Sequence, residues 1–300
     1  MTTHAPDHIL PAIALRLLSV VFLATMSALI KLAETHGAHF AEIIFFRQAA
    51  GVPLVTAWIA AGPGLKSVAT KRIGAHITRT VVGLTSMACL FGALMILPLA
   101  EATTFQFTVP IFATILGALL LKEPTGWHRW GAVLAGFVGV VIVARPGSGH
   151  IPLGGAALGL VAATLTAMVS ILLRQIGKTE GAATTVFWFT ILSVPPLGLL
   201  YVFHLSPHPP AVWAMLVGIG MVGAAGQLAL TGALKLGPVS VVVPMDYSSL
   251  LWATLYGWLL FGALPGAATW IGAPVIIGSG LYIVWREHLR RRIETEQAIV

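Results

Sequence analysis

Ten runs of roughly twenty mostly apolar residues follow one another along the chain, at 11–33, 40–61, 73–96, 98–121, 127–144, 153–174, 182–203, 210–233, 238–261 and 266–285. A helix needs about 20 such residues to cross a ~30 Å hydrocarbon core, so these runs predict ten spans joined by short connections, with no room for a second soluble domain. Lipid offers no partner to backbone polar groups, which leaves helices or closed barrels. The runs lack the short alternating strands of a barrel. Turn-forming clusters stand between them: Gly62-Pro63-Gly64, Pro124-Thr125-Gly126, Arg145-Pro146-Gly147 and Pro207-His208-Pro209-Pro210. The boundary between the third and fourth runs rests on Pro98 and Glu101. Composition agrees, because 9% charged and 57% hydrophobic residues cannot cover a water-soluble surface and exclude disorder. The first run is longer than a signal-peptide core and ends at Ala33-Glu34 without a small-x-small pattern, so it is expected to be retained as a span.

Basic residues orient the bundle. With a cytoplasmic N-terminus, the inside collects Arg16, Lys66, Lys71, Arg72, Arg79, Lys122, Arg129, Arg174, Lys178, Lys235, Arg286 and Arg290 to Arg292, which is fourteen of the 17 Lys and Arg. The outside collects Lys31 and Arg145, and Arg47 falls within a span. This asymmetry predicts a multi-pass membrane protein with both termini cytoplasmic. The net charge of +7 then reflects topology and lipid headgroups, including a basic tail at 286–300, and nucleic acid is not an expected partner.

The chain resembles itself. At an offset of 140 residues, Pro98 meets Pro238, Ala113-Thr114 meets Ala253-Thr254, Gly117 meets Gly257 and Trp130 meets Trp270. At 143, Leu15 meets Leu158, Ala24 meets Ala167, Ser27 meets Ser170 and Pro53 meets Pro196. Two copies of a five-span unit are expected, 1–149 and 150–285. Five is odd, so the second copy is inverted, the plan of secondary transporters that bind substrate near the midplane between repeats.

Several segments carry a family resemblance. They run from Ala100-Glu101-Ala102-Thr103-Thr104 through Pro110-Ile111-Phe112-Ala113-Thr114-Ile115-Leu116-Gly117 to Leu121-Lys122-Glu123, Trp130-Gly131 and Gly136-Phe137-Val138-Gly139. Their second-half counterparts are Leu236-Gly237-Pro238, Pro244-Met245-Asp246-Tyr247 and Trp252-Ala253-Thr254. With these segments the chain resembles the drug/metabolite transporter superfamily, in particular its ten-helix exporters built from two EamA-type domains, and among those the bacterial exporters of aromatic and other neutral amino acids. The resemblance implies an all-α membrane protein of two inverted five-helix repeats that exports small metabolites by alternating access. Members usually carry a Glu after the paired helices; Glu123 matches, whereas Gly262-Ala263 stands in the second half.

No enzyme chemistry is legible. Gly177-Lys178-Thr179 ends like a phosphate loop, but Leu172 occupies the required upstream glycine position, and neither H-E-x-x-H nor G-x-S-x-G occurs. The lone Cys89 forms no disulfide framework, and no metal or cofactor is expected. The expected partners are a small-molecule substrate, an amino acid or related metabolite, and the lipid bilayer, with a monomer as the working unit. A sugar-phosphate or nucleotide-sugar exchanger would want several buried bases, and only Arg47 qualifies. A passive channel is the other alternative.

The candidate substrate residues follow from depth. Gln106-Phe107 and Asp246-Tyr247 overlie at the 140 offset, each pair starting eight residues after a helix-starting proline. That is ~12 Å of rise, so the two pairs enter from opposite sides and are expected near the midplane. Asp246 is the only acid expected this deep, and an intramembrane carboxylate is by default functional. It would hold a substrate ammonium, titrate as a coupling-proton site, or pair neighbouring helices. Trp252, Met26 and Met168 are candidate apolar lining or core packing, and Gln227 and Thr80 are buried polar candidates. Arg47 is expected to pair with Glu101 or to meet a substrate carboxylate.

Overall fold

The computed structural model describes residues 9–62, 64–120, 126–145, 151–177, 179–236 and 243–297, and these residues form helices and connections without a strand among them. The helices are α1 Ile9–Thr35, α2 Phe40–Ala49, α3 Val52–Ala61, α4 Ile73–Ile96, α5 Leu99–Gln106, α6 Val109–Leu120, α7 Trp127–Ala144, α8 Leu153–Ile176, α9 Ala182–Val202, α10 Pro210–Leu236, α11 Ser249–Phe261 and α12 Ala267–Gln297. Among the described residues, eight stretches are long and apolar enough to cross a membrane, and Trp130–Ala144 is a shorter apolar helix.

Two of the eight stretches are broken where the sequence analysis expects continuous helices. The second breaks between Ala49 and Val52, and the fourth between Gln106 and Val109. Pro53 and Pro110 are the physical cause, since each lacks the N–H that would bond the carbonyl four residues back, at Ala49 and Gln106. The segment expected to span 238–261 differs more. Residues 237–242 lie outside the described residues, Val243–Ser248 winds as a tight 3-10 turn, and only Ser249–Phe261 is α-helical. At the end of that helix Gly262 takes φ +62°, and the Ala263 N–H returns to the Gly257 carbonyl at 3.0 Å. Left-handed backbone suits glycine, which accounts for Gly262 at this helix end. Glu123 and Pro238 lie outside the described residues.

The connections sort the helix ends onto two faces. At the near face, where α1 and α4 begin, Thr184 Oγ1 donates to the Ser67 carbonyl at 2.6 Å and Trp188 Nε1 to the Val68 carbonyl at 2.9 Å, so α9 begins there too. At the far face His39, before α2, stacks on His204, after α9, with ring centroids 4.1 Å apart. Neighbouring spans are therefore antiparallel, with α1 packed along α10, α4 along α8 and α7 along α12.

Small residues set these approaches. A Cβ on Gly272 would lie 2.7 Å from the Gly139 carbonyl oxygen, so α7 and α12 cross backbone to backbone. Gly155 and Gly159, one turn apart on α8, pack closely as well, Gly155 against Leu97 and Gly159 against Phe105. Gly220 on α10 makes the tightest approach to backbone, because a Cβ there would overlap the Phe46 carbonyl and lie 2.6 Å from the Ala50 Cβ. Backbone cannot yield as a flexible side chain can. Gly220→Val is expected to cost about 1–3 kcal/mol and to lower the melting temperature of the purified protein. Gly218→Ala, which would meet only Leu29 at 3.6 Å, is expected to melt with the wild type. Equal behaviour of the two variants would contradict this packing.

Candidate functional site: a cavity lined by two arginines

Two bases expected to mark the membrane surface lie inside the bundle. Arg16 is 6% exposed, and its guanidinium pairs with Asp246 and donates through Nη1 to Ser19 Oγ at 3.2 Å. Ser19 Oγ in turn donates to the Gly226 carbonyl at 2.7 Å, tying the pair to α10. The depth expected for Asp246 is thereby corrected. It meets the eighth of the 27 residues of α1 rather than the midplane, and the described segment that carries it, Val243–Ser248, is a 3-10 turn. Neither is it the most buried acid, since Glu42 is 0% and Glu101 4% exposed.

Arg79 is the second reassigned base. It projects from the second turn of α4, with its guanidinium carbon 3.6 Å above the centre of the Phe189 ring. Gly83 makes the room, because a Cβ there would lie 3.1 Å from Phe189 Cε2 and 3.2 Å from Arg79 Nη1. Arg79 Nε and Nη1 are buried and have no hydrogen-bond partner among the described residues.

Arg79 shares a cavity of about 470 Å³ with Arg47. Its wall includes Gln48, Phe189, Thr190 and Gln227, and it extends to Glu180 at the near face. Arg47 donates through Nη1 to Gln48 Oε1 at 3.1 Å, while its Nε and the Gln48 Nε2 are buried without partners among the described residues. Gly223 lets this guanidinium approach α10, since a Cβ there would lie 2.7 Å from both Arg47 Nε and Met26 Sδ. The expected Arg47–Glu101 pairing is not formed. Glu101 Oε1 instead accepts from the Gly266 N–H at 3.3 Å and Thr269 Oγ1 at 3.0 Å, capping the start of α12. Its favourable place at a helix N-terminus removes it as a counter-ion.

Glu180 is the acid on the cavity wall, and it is engaged elsewhere. Its Oε2 lies 2.5 Å from His76 Nε2, and Thr70 Oγ1 donates to its Oε1. Burial raises this carboxyl, but the hydrogen bonds from Thr70 and His76, with the charges of His76 and Arg72, outweigh that effect and hold it below the usual carboxylate range.

The other expected site residues are dispersed. Phe107 and Tyr247 do meet, edge to face with centroids 5.1 Å apart, and the Tyr247 hydroxyl points at Gly280. Gln106 Nε2 donates to the Gly159 carbonyl at 3.5 Å, away from Asp246. Trp252 is half-buried beside Tyr256, Met168 is half-buried, and Thr80 is buried with an unpartnered hydroxyl. Of the ten expected residues, Arg47 and Gln227 line the cavity. Arg79 and Gln48 were missed. The signal available for Arg79 was its position six residues into an apolar run, which a count of basic residues near span ends absorbs.

Chemically, two guanidiniums on the lining of one cavity, neither paired with a carboxylate among the described residues, can take an anion. A charge held at such depth needs water or an opposite charge, and a fork of N–H donors matches a carboxylate or phosphate. Among the described residues no group of His, Cys, Asp and Glu could hold a metal ion.

Several bilayer-length apolar helices, with a cavity among them that two arginines line, make this a multi-pass membrane protein. The chain belongs to the EamA-like transporter family, whose model matches residues 10–145 and again 153–285. It is similar to a riboflavin transporter of Vibrio cholerae, 31% identical over 76% of this chain and 77% of that one. It is also similar to a pseudopaline exporter of Pseudomonas aeruginosa, 27% identical over 90% and 95%, and to an S-adenosylmethionine uptake transporter of Rickettsia prowazekii, 25% identical over 83% and 84%. One solved crystal structure shares the fold, with a TM-score of 0.61 and 20% identity over 94% of this chain and 98% of the other.

Proposed function

We propose that the protein is a secondary transporter that exports small organic metabolites bearing a carboxylate, amino acids foremost, by alternating access between two inverted five-helix repeats divided near residue 150. The observation that carries this reading is that Arg47 and Arg79 line one cavity with no carboxylate partner among the described residues. A volume of about 470 Å³ falls in the range of small-molecule sites, ~300–1,000 Å³. Phe189 offers a flat apolar surface to a side chain, while Gln48, Thr190 and Gln227 offer neutral hydrogen bonds to an amino or amide group. Helix pairing supports the inverted repeat. Exchange of the halves turns the α1–α10 contact into the α8–α4 contact, and α7–α12 maps onto itself. Without Arg16 and Arg79 the basic residues still favour one side by twelve to two, which supports cytoplasmic termini.

A second reading is a flat heterocycle such as riboflavin. The likeness to the riboflavin transporter of Vibrio cholerae favours it, as does the stack of Arg79 on Phe189 as a platform for a ring.

Counterflow in proteoliposomes separates the readings. Vesicles preloaded with an unlabelled neutral or aromatic amino acid are expected to accumulate the labelled one transiently, with a saturable rate. Counterflow of riboflavin alone would move the assignment to the second reading. Single-channel currents without any counterflow would overturn both.

A further inference from the structure

Two His–Glu pairs bracket the cavity, one at each face. At the near face His76 Nε2 lies 2.5 Å from Glu180 Oε2, with the His76 side chain fully buried and the Glu180 side chain 8% exposed. At the far face His208 Nε2 lies 2.8 Å from Glu42 Oε2, with side chains 6% and 0% exposed. Each pair ties the first half of the chain to the second. Glu180 itself lines the cavity, and Glu42 lies five residues up α2 from Arg47, about 7 Å beyond the cavity's other end.

The two pairs are related by the repeat. Glu42 sits in the first turn of α2, and Glu180 two residues before α9, so the acids open the second span of each half. His76 sits in the first turn of α4, and His208 two residues before α10, so the bases open the third span of each half. Exchanging the halves therefore converts Glu42–His208 into Glu180–His76. The pairing is crossed, with the acid of one half on the base of the other.

Resting on the carrier reading, we propose that these two pairs are the proton-linked latches of the transport cycle, Glu180–His76 closing the near face and Glu42–His208 the far face. In an inverted-repeat carrier the halves part at one face at a time, so a tie between halves at a given face must break when that face opens. A hydrogen bond between charged partners is worth more than a neutral one, and imidazole is the side chain whose charge changes between pH 5 and 8. Withdrawing the proton from the imidazole leaves a neutral bond and a looser latch.

The surroundings of both pairs carry other charges. Around His76 stand Arg72, whose Nη1 donates to Thr179 Oγ1 at 2.8 Å, and Arg79 one turn along α4, while Trp188 packs on the imidazole ring. His76 Nδ1 is buried without a partner, so Nε2 holds the ring through Glu180. Around Glu42 stand the His39 backbone N–H, which donates to Oε2 at 2.8 Å, and Tyr201 and His204 from the end of α9. Trp213 packs on His208 with centroids 5.5 Å apart.

The test needs no substrate, so it stands apart from the counterflow result. In a Cys89→Ala background, a cysteine at the cavity residue Thr190 is labelled with a membrane-impermeant maleimide from each face in turn, using right-side-out and inverted vesicles. Glu180→Gln is expected to raise labelling from the near face about fivefold and leave the far face unchanged, and Glu42→Gln to do the reverse. Between about pH 6 and pH 8.5 the near-face rate of the parent is expected to rise several-fold relative to His76→Gln, which retains a neutral donor and reports thiol chemistry alone. His208→Gln provides the same comparison for the far face. Equal labelling of parent and Gln variants at both faces, or a rise at both faces from one substitution, overturns the proposal even if counterflow succeeds.

Discussion

Arg47→Gln is expected to raise the half-saturation concentration for a carboxylate substrate tenfold to a hundredfold, the largest effect anticipated for any single substitution. A hydrogen bond to a charged group contributes about 1.5–3 kcal/mol, and each 1.4 kcal/mol is tenfold in affinity. Arg47 lines the cavity, and its buried Nε has no hydrogen-bond partner among the described residues. Arg47→Lys keeps the charge but loses the fork, and a smaller, several-fold rise is expected. The check is a counterflow series comparing a free amino acid with its amide, because only the carboxylate form should lose affinity. A uniform fall in maximal rate with unchanged half-saturation, accompanied by less folded protein, would assign Arg47 to the scaffold.

The second large effect concerns the Arg16–Asp246 pair. Asp246→Asn leaves a guanidinium that is 6% exposed without its counter-ion. Breaking a fully buried pair costs about 3–5 kcal/mol, but the Asp246 side chain is 39% exposed and water moderates the loss, so about 1–2 kcal/mol is expected. The melting temperature should fall in Asp246→Asn and recover in the double variant Arg16→Leu, Asp246→Leu, since replacing both partners by apolar groups removes the stranded charge. An unchanged melting temperature in Asp246→Asn, with pH dependence of transport lost, would instead make this carboxylate the proton site considered from the sequence.

Helices were legible because their signal is local. The runs at 73–96 and 127–144 end where α4 and α7 end, since apolar length and flanking turn residues both lie in one stretch of chain. The breaks at Ala50-Gly51 and Phe107-Thr108 were less legible, although Pro53 and Pro110 mark them, because a proline inside a membrane span is tolerated when neighbouring helices satisfy the freed carbonyl. The apolar run that begins at Pro238 likewise hides a change of winding, since its described part is a 3-10 turn over Val243–Ser248 and α-helical from Ser249.

The site was legible where a residue's chemistry alone is unusual. Arg47 stands out as a base in the middle of an apolar run. Arg79 and Arg16 stand nearer run ends and are indistinguishable from topology markers until the fold brings Phe189 and Asp246 to them, 110 and 230 residues away. The same holds for Glu42 with His208 and for His76 with Glu180, which lie 166 and 104 residues apart. Depth counted along an ideal α-helix failed for Asp246 because it sits in a 3-10 turn, whose rise per residue differs. Phe107 and Tyr247 still met, because the contact of rings tolerates a displacement that a hydrogen bond does not.

Substrate protection of the cavity tests the central claim most directly. A cysteine at Thr190 in a Cys89→Ala background is titrated with maleimide in the presence of increasing concentrations of whichever solute supports counterflow. The account predicts that labelling slows, and that the protecting concentration matches the half-saturation for counterflow and rises in parallel in Arg47→Gln. Labelling that stays unchanged at concentrations that saturate counterflow would place the solute elsewhere and contradict the account.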